Sequence, residues 1–210
     1  MQRRIGLTGG IASGKSTVGH LLEQRGWPVL DADRYARDVL APNTPASEAV
    51  VERFGAVVGH AANVNRQALG QIVFSDPDKR RWLEALIHPV VRERFQQDLT
   101  ELRDAPVVVL MIPLLFEAGL QSLCSEVWLV DCTTKQQLTR MIQRDGLSEA
   151  EAQARLQAQW PLARKRDLAD HIIENRGSLT DLMAAVSHFA RLTDGTTAQH
   201  SLFPETQSQQ

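Results

Sequence analysis

The segment Gly9–Thr17 constrains this chain more than any other part of its sequence. It consists of Gly-Gly-Ile-Ala-Ser-Gly-Lys-Ser-Thr and matches the pattern G-x-x-x-x-G-K-[ST]. A short apolar stretch, Ile5–Thr8, precedes it, and a helical pattern follows from Lys15 to about Gln24. Glycines let a backbone curl so that successive N–H groups face one anion, and a following helix adds its positive N-terminus. The segment therefore predicts a loop that binds the phosphates of a nucleotide.

The polar residues of this loop have roles that follow from their places in the pattern. Lys15 is predicted to reach the β- and γ-phosphates, and the hydroxyl of Ser16 to bind Mg²⁺. The chain has no later D-x-x-G, N-K-x-D or T-K-x-D, which disfavours guanine-specific switch proteins. The other candidate nucleotide-binding residues of the loop are Gly9, Gly10, Ile11, Ala12, Ser13, Gly14 and Thr17.

Short apolar segments alternate with longer segments of helical period along the whole chain. This alternation predicts βαβ units and hence an α/β fold with a doubly wound, five-stranded parallel sheet. Val107–Ile112 is almost purely apolar, as expected for a strand that is buried on both faces. The predicted strands are Ile5–Thr8, Pro28–Asp31, Val107–Ile112, Val127–Val130 and Ile172–Ile173.

About 75 residues with helical patterns separate the second and third predicted strands. This stretch is too long for a simple crossover, so it predicts a helical insertion. Asp76, followed by Pro77, predicts the start of a helix that runs to about Arg103. His88 lies in this helix, and an isolated histidine is more often a packed or capping residue than a catalytic one.

The last third of the chain contains two clear helix starts. Ser148 and Glu151 have the spacing of a capping box, and Ser178 opens a last helix that is predicted to end near Leu192. Residues 193–210 are rich in Thr, Gln and Ser, and we predict that they form a flexible tail.

Composition limits the kind of partner. The chain has 23 Lys and Arg against 25 Asp and Glu, which argues against a broadly basic protein that binds nucleic acid. Its longest apolar run, Val107–Phe116, contains Pro113 and is half the length of a membrane span. Cys124 and Cys132 form no C-x-x-C pair and have no metal-ligand spacing. They predict buried thiols in a reducing cytosol, and no feature of the sequence supports the alternative, a disulfide. We expect a cytoplasmic protein without a membrane, nucleic-acid or obligate protein partner.

Two carboxylates follow the second predicted strand. The third strand ends at Pro113 rather than at an aspartate, so the acid that often orients the metal is missing there. Asp31 and Asp33 lie instead at the carboxyl end of the second strand, where open α/β sheets place their sites. If the strand continues, both side chains share one side; if it ends at Asp31, Asp33 turns into the next helix. Asp33 is thus either a functional acid or the N-cap of a helix that starts at Arg34.

Two of the next three basic or polar groups remain open to two interpretations. Arg140 and Arg144 lie four residues apart on one helix face, which suits a polyphosphate chain; alternatively they form a solvated helix end with Asp145 as partner. Residues 164–166 form a second basic cluster, normally a solvated face. Asn175 and Gly177 follow the fifth strand and form either a plain turn or a loop whose backbone touches a purine.

In combination and order, these segments resemble the dephospho-coenzyme A kinase family from about Arg4 to Leu192. The phosphate loop alone is shared by many families, whereas the combination is specific. Besides Leu7–Ile11 leading into the loop, the matching segments are Asp31–Asp33, Leu86–Pro89, Pro113–Glu117, Arg140–Asp145 and Ile173–Gly177.

The resemblance implies ATP-dependent phosphorylation of the ribose 3′-hydroxyl of dephospho-CoA, the last step of coenzyme A synthesis, with Mg²⁺ as cofactor. It implies a P-loop kinase core (1–33, 105–140 and 169–192), a helical substrate insertion (about 34–104) and a helical lid (about 141–168). Ala12 stands where the family often has glycine, and a methyl is tolerable there only if φ is negative.

The resemblance also assigns roles to particular residues. Asp33 is the expected general base, with Lys15 and Arg140 as the other catalytic residues. Asn175 and Gly177 are expected near adenine, and Arg140 and Arg144 near the phosphates. The expected substrate-binding residues are Asp33, His88, Pro89, Leu114 and Glu117, and the expected Mg²⁺ ligands are Ser16 and Asp31.

Two other functions fit the phosphate loop alone. A different small-molecule or nucleoside kinase would share the loop but not the His-Pro and Pro-Leu-Leu-Phe-Glu segments. A regulatory ATP-binding protein would need neither an acid at position 33 nor a substrate insertion.

Overall fold

A computed structural model describes residues 2–60 and 63–200, with side chains except those of Phe74 and residues 193–200. The chain divides into two compact units. The first, here called the core unit, comprises the residues up to Leu30 and from Arg103 onward. The second, the insertion unit, comprises Asp31–Leu102, where the sequence predicts an insertion over 34–104.

The core unit is built on a five-stranded sheet, and the predicted doubly wound parallel fold is confirmed. Leu7 of the central strand pairs with Met111 on one side, and Gly9 pairs with Val130 on the other, both in parallel ladders. The strand order is β2 (Val29–Asp31), β5 (Val107–Met111), β1 (Arg3–Gly9), β6 (Glu126–Asp131) and β7 (His171–Glu174).

Three helices of the core unit begin where the sequence provides side-chain caps. Ser148 and Glu151 form the predicted capping box, and Thr133 and Gln136 form a second one. Ser178 and Asp181 exchange hydrogen bonds in the same way. The helices are α1 (Lys15–Gln24), α6 (Thr134–Asp145), α7 (Glu149–Gln157), α8 (Leu162–Arg166) and α9 (Leu179–His200).

The last helix differs from its predicted end. Helix α9 continues to His200 rather than ending near Leu192. A single glycine, Gly195, costs about 1 kcal/mol in a helix interior, which is not enough to stop it. The prediction of a flexible tail over 193–210 thus falls partly on a helix, and residues 201–210 lie outside the described residues.

Apolar side chains from both faces of the sheet form the core. Leu7, Val109 and Trp128 are fully or almost fully buried, and each such side chain contributes roughly 1.5–3 kcal/mol. Cys124 lies against the sheet at Gly6, where an added β-carbon would come within 2.6 Å of its Sγ atom. Burial raises the pKa of Cys124 to about 12 and also raises the pKa of Cys132. Both cysteines are free thiols.

The insertion unit is mainly helical. Asp76 caps its longest helix, as predicted, by accepting the N–H groups of Asp78 and Lys79. A small antiparallel hairpin of two-residue strands is also present, and strands of that length leave no sequence pattern. The elements are α2 (Ala32–Val39), α3 (Pro45–Phe54), β3 (Gly59–His60), β4 (Asn63–Val64), α4 (Arg66–Ser75) and α5 (Pro77–Glu101).

In the part of the chain that the structure describes, none of the helices combines the length and the apolar character needed to cross a bilayer.

Candidate active site

The phosphate loop connects β1 to α1 at the carboxyl edge of the sheet. Strand β1 lies beside β6 at the point where the chain changes direction across the sheet, which is where doubly wound folds bind ligands. Gly14 has φ +98°, and an added β-carbon there would come within 2.2 Å of the Asn175 amide nitrogen. Only glycine can adopt this backbone angle without strain and leave room for the Asn175 amide.

Three side chains hold the carbonyl groups of the loop. Gln137 Nε2 donates to the Ile11 carbonyl at 2.7 Å, and Asn175 Nδ2 donates to the Ser13 carbonyl at 2.8 Å. Arg140 Nη1 lies 3.3 Å from the Ala12 carbonyl and 3.4 Å from that of Ser13. We call Gln137, Arg140 and Asn175 the loop brace. With these carbonyls satisfied by side chains, the loop is fixed in the curled form that an anion cradle requires.

The brace changes the interpretation of two predicted residues. Arg140 was expected at the phosphates, and the structure places its guanidinium on loop carbonyls and, through Nη2, on the Asn175 carbonyl at 3.1 Å. Asn175 is buried, and its side chain holds the loop rather than forming a plain turn. Gln137 was not foreseen, because nothing in its local sequence distinguishes it from a surface glutamine.

Removal of the Arg140 guanidinium is expected to lower the catalytic efficiency with ATP. The Arg140→Ala variant removes the guanidinium from the Ala12 and Asn175 carbonyls, while the Ser13 carbonyl keeps its hydrogen bond from Asn175 Nδ2. A hydrogen bond to a charged group is worth roughly 1.5–3 kcal/mol. We expect kcat/KM for ATP to fall about 10- to 100-fold. We expect kcat to fall more than KM rises, because the negative charge that Arg140 faces develops mainly during phosphoryl transfer. Steady-state kinetics measures both constants, and a rise in KM alone would show that Arg140 only binds ATP. Arg191→Ala on exposed α9 is the control, and an equal effect of both changes would contradict the prediction.

Lys15 and Ser16 stand at the start of α1. Lys15 is only 9% exposed, whereas the Ser16 and Thr17 side chains are exposed. A lysine held in this place offers a single positive charge to a polyphosphate. The exposed hydroxyl of Ser16 is an oxygen ligand of the kind that Mg²⁺ accepts.

Ala12 has φ +56°, in the left-handed region. The condition of a negative φ is therefore not met, and the loop tolerates the methyl group at a cost. Left-handed backbone costs roughly 1–2 kcal/mol for a residue with a β-carbon. The hydrogen bonds of the loop brace hold Ala12 in this strained conformation.

Ala12→Gly is therefore expected to stabilise the protein. Relief of the backbone strain exceeds the roughly 0.5–1 kcal/mol entropic cost of a glycine, leaving a net gain of about 0.5–1 kcal/mol. Urea or thermal unfolding measures this gain. Ala158→Gly is the matched control, because Ala158 has φ −72° and glycine should destabilise there. A loss of stability at both positions would show that Ala12 is not strained.

The structure places Arg144 at a helix end with Asp145 as its partner, which was the alternative interpretation of the arginine pair. Its Nε and Nη2 atoms donate to both carboxylate oxygens of Asp145, at 2.7 and 2.9 Å. The hydrogen bond from Arg144 lowers the pKa of Asp145. Arg144 thus has a local partner, and its assignment to the phosphates stays a prediction.

A buried aspartate that the sequence analysis did not single out lies beside the loop. Asp131 ends β6 and is 2% exposed. Its Oδ2 accepts hydrogen bonds from Arg166 and, at 2.7 Å, from Arg176. Its carbonyl accepts the Asn175 N–H at 2.7 Å. The cluster fixes the segment that carries Asn175, and its only sequence signal is an acid directly after a predicted strand.

Residues 164–166 do not form the predicted solvated face. Lys165 is 0% exposed, and its Nζ lies 2.8 Å from Glu117 Oε1. Arg166 binds Asp131, and the Arg164 guanidinium lies 3.3 Å from the centre of the Trp160 ring, a cation–π contact. The prediction failed because the carboxylate partners are distant in sequence, and buried charges require such partners.

The predicted lid contacts the phosphate loop through its C-terminal part. Gln159 Oε1 accepts the Ile11 N–H at 2.9 Å. Glu117, which follows β5, accepts the Trp160 N–H at 3.1 Å as well as the Lys165 ammonium. Glu117 therefore anchors this segment, and its expected contact with substrate stays a prediction. Leu114 in the same loop is half-buried.

The structure decides between the two local interpretations of the Asp31–Asp33 segment. Strand β2 ends at Asp31, and Asp31 Oδ1 accepts the Asp33 N–H at 2.9 Å as the N-cap of α2. The interpretation of Asp33 as a cap of a helix starting at Arg34 is therefore wrong. Asp33 lies in the first helical turn and is exposed. His88 and Pro89 are exposed on α5.

Among the side chains that the structure describes, those of residues 2–60 and 63–192 without Phe74, no group of three or more His, Cys, Asp or Glu has the arrangement of a metal site. Mg²⁺ needs no such cage, because it binds through one or two protein oxygens together with substrate phosphates and waters. The hydroxyl of Ser16 is compatible with that mode of binding.

The braced, glycine-rich loop at the switch point of a doubly wound parallel sheet defines a P-loop nucleotide-binding protein. Among families of known proteins, the dephospho-CoA kinase model matches residues 3–181. The chain therefore belongs to the dephospho-CoA kinase family, a family of kinases, and the resemblance inferred from the sequence is confirmed.

Individual relatives support the same family assignment. A dephospho-CoA kinase of Parasynechococcus marenigrum strain WH8102 is 76% identical over 197 residues, which cover 94% of this chain and 100% of that protein. The Campylobacter jejuni dephospho-CoA kinase structure is 28% identical, with a TM-score of 0.70, and the match covers 93% of this chain and 100% of that one. The crystal structure of TT1252 from Thermus thermophilus has 40% identity and a TM-score of 0.78, with 91% and 98% covered.

Proposed function

We propose that this chain transfers the γ-phosphoryl group of ATP to the ribose 3′-hydroxyl of dephospho-CoA, giving coenzyme A and ADP. This reaction is the last step of coenzyme A synthesis. The observation that carries the proposal is the braced phosphate loop with its buried Lys15, in a chain that belongs to this family over residues 3–181.

Phosphoryl transfer depends on positioning and on neutralising charge more than on covalent help from the protein. The 3′-oxygen forms a bond to the γ-phosphorus while the bond from that phosphorus to the bridging oxygen of ADP breaks. Lys15 and Arg140 supply positive charge at the phosphates. The carboxylate of Asp33 accepts the hydroxyl proton or orients the hydroxyl.

The remaining ligand assignments belong to the same proposal. Ser16 and Asp31 would hold Mg²⁺, which would supply further positive charge to neutralise the phosphates. The nucleotide lies along the loop from Gly9 to Thr17. Arg144 approaches its phosphates, and Asn175 and Gly177 lie near its adenine. The acceptor contacts Asp33, His88, Pro89, Leu114 and Glu117.

The proposed lid, about 141–168, excludes water, which would otherwise receive the phosphoryl group. The Gln159 contact to the loop supports a coupling between this segment and nucleotide binding. We also propose a cytoplasmic location, which the two free thiols support, because disulfides are rare in reducing compartments.

A coupled ADP-release assay tests the proposed function. ATP is supplied with dephospho-CoA, with a panel of nucleosides and sugars, or with no acceptor, and the product is identified by mass as the 3′-phosphate. We expect turnover with dephospho-CoA to exceed that with any other acceptor. Preference for a nucleoside would indicate a different kinase, and slow ADP release that no acceptor stimulates would indicate a regulatory ATPase.

A further inference from the structure

Glutamines hold Ile11, in the first half of the phosphate loop, from two sides. The Ile11 carbonyl accepts a hydrogen bond from Gln137 Nε2 of the loop brace at 2.7 Å, and the Ile11 N–H donates to Gln159 Oε1 at 2.9 Å. Gln137 belongs to α6, whereas Gln159 lies in the short connection between α7 and α8. The brace therefore fixes the carbonyl side of this residue, and Gln159 fixes the N–H side.

The segment that carries Gln159 is anchored away from the loop. Glu117 Oε1 accepts the Trp160 N–H at 3.1 Å and lies 2.8 Å from Lys165 Nζ. Lys165 is fully buried, and its Nζ also donates to the Pro113 carbonyl at 3.4 Å. A buried ammonium group requires such partners. The segment therefore has a fixed position that does not depend on the loop, and it presents the glutamine side chain from this support.

The same segment also covers Gly10. An added β-carbon at Gly10 would come within 3.2 Å of Leu162 Cγ, so the loop backbone packs against this side chain. Leu162 is half-buried. Residues 159–162 thus form one wall of the loop in which the phosphates are proposed to lie.

Without Gln159, the Ile11 N–H would bind water. A backbone N–H group needs a partner, and one that lacks a protein acceptor takes an ordered water. A water in this place would lie at the phosphate loop, beside the proposed position of the γ-phosphoryl group. Its oxygen would form a bond to the γ-phosphorus while the bond from that phosphorus to the bridging oxygen of ADP breaks. The water would lose a proton, and the products would be ADP and inorganic phosphate.

We infer that Gln159 is a positioning residue that suppresses this hydrolysis. The inference rests on the proposed function. Gln159 Oε1 occupies the place that the water would take, and its hydrogen bond holds Ile11 against the anchored segment. The phosphoryl group is then transferred to the acceptor hydroxyl rather than to water. Gln159 acts through the Ile11 backbone and is not itself a catalytic residue.

The test compares two neighbouring glutamines. Gln159→Met keeps the length of the side chain and removes the acceptor oxygen. Gln157→Met is the matched control, because Gln157 is exposed at the end of α7. Gln159→Glu keeps an oxygen that can accept the Ile11 N–H. ADP and coenzyme A are quantified in the same reaction at saturating ATP and dephospho-CoA, and ADP and inorganic phosphate are also measured without an acceptor.

In the wild type and in Gln157→Met, we expect equal amounts of ADP and coenzyme A. In Gln159→Met we expect ADP release without an acceptor to rise about 10-fold, the rate change that corresponds to one hydrogen bond, and coenzyme A formation to fall less than about 3-fold. Hydrolysis by Gln159→Glu should stay within about 3-fold of the wild type. Thermal unfolding checks the fold, and we expect melting temperatures within about 4 °C of the wild type.

A wild-type ratio of ADP to coenzyme A in Gln159→Met would overturn the inference. An equal loss of both products would overturn it as well, and would show that the contact only supports the shape of the loop. Hydrolysis by Gln159→Glu as fast as that by Gln159→Met would show that the acceptor oxygen has no such role. A wild-type enzyme that does not phosphorylate dephospho-CoA would instead overturn the proposed function, and the assay without an acceptor would then still decide the role of Gln159.

Discussion

Lys15→Ala is expected to lower the rate of phosphoryl transfer by on the order of 10³-fold or more, because it removes a fixed positive charge from the transferring phosphates. The charge acts in a loop whose carbonyl groups are held by other side chains. The loop brace holds the carbonyls of Ile11 and Ser13 through Gln137 and Asn175. The variant is therefore expected to keep its fold and its loop, and to lose the reaction.

ADP release with dephospho-CoA and ATP measures this effect, and circular dichroism with thermal unfolding establishes that the variant is folded. Lys135→Ala provides the control, because Lys135 is exposed on α6. Activity of the Lys15 variant within a few-fold of the wild type would refute the assignment of the loop to the nucleotide.

Asp33→Asn is expected to lower kcat by roughly 10²–10⁴-fold, the usual effect of losing a general base. The substitution keeps the shape of the side chain and removes the proton acceptor. Because Asp31 rather than Asp33 caps α2, the cap hydrogen bond is kept. The loss of one negative charge from the first turn should then cost no more than about 1 kcal/mol of stability. A fall in rate with unchanged stability would therefore report chemistry.

A magnesium titration separates the two chemical roles of Asp33. If it is the base, the variant stays slow at all Mg²⁺ concentrations; if it is a metal ligand, the variant needs much more Mg²⁺ to reach its maximal rate. Asp78→Asn is a close control, because Asp78 follows the Asp76 cap of α5 as Asp33 follows Asp31. Full activity of Asp33→Asn at ordinary Mg²⁺ would exclude both roles.

The sheet and the phosphate loop were predictable because their signals are local. Apolar runs such as Val107–Met111 form strands because their own residues must be buried, and Gly14 is required by its own backbone angle. The fit of α1 to its predicted bounds has the same origin. For such elements, a window of about ten residues contains most of the physical information.

The surroundings of the loop were not predictable in the same way. The burial of Lys165 depends on Glu117, and the fixed position of Arg166 depends on Asp131. Gln137 matters only because a loop more than 120 residues away presents a carbonyl to it. A basic run or a lone glutamine has the same local pattern whether or not such a partner exists, so the fold is needed to distinguish the cases.

The positions of the two cysteines have a consequence for an enzyme of this proposed specificity. Its substrate and its product each carry a free thiol, and their disulfide forms react with protein thiolates by exchange. With the pKa of Cys124 raised to about 12, only about one such thiol in 10⁵ is ionised at pH 7, against a few per cent for an ordinary cysteine. Burial raises the pKa of Cys132 in the same direction. The low thiolate fraction of both cysteines therefore disfavours mixed-disulfide formation with the compounds that the enzyme binds.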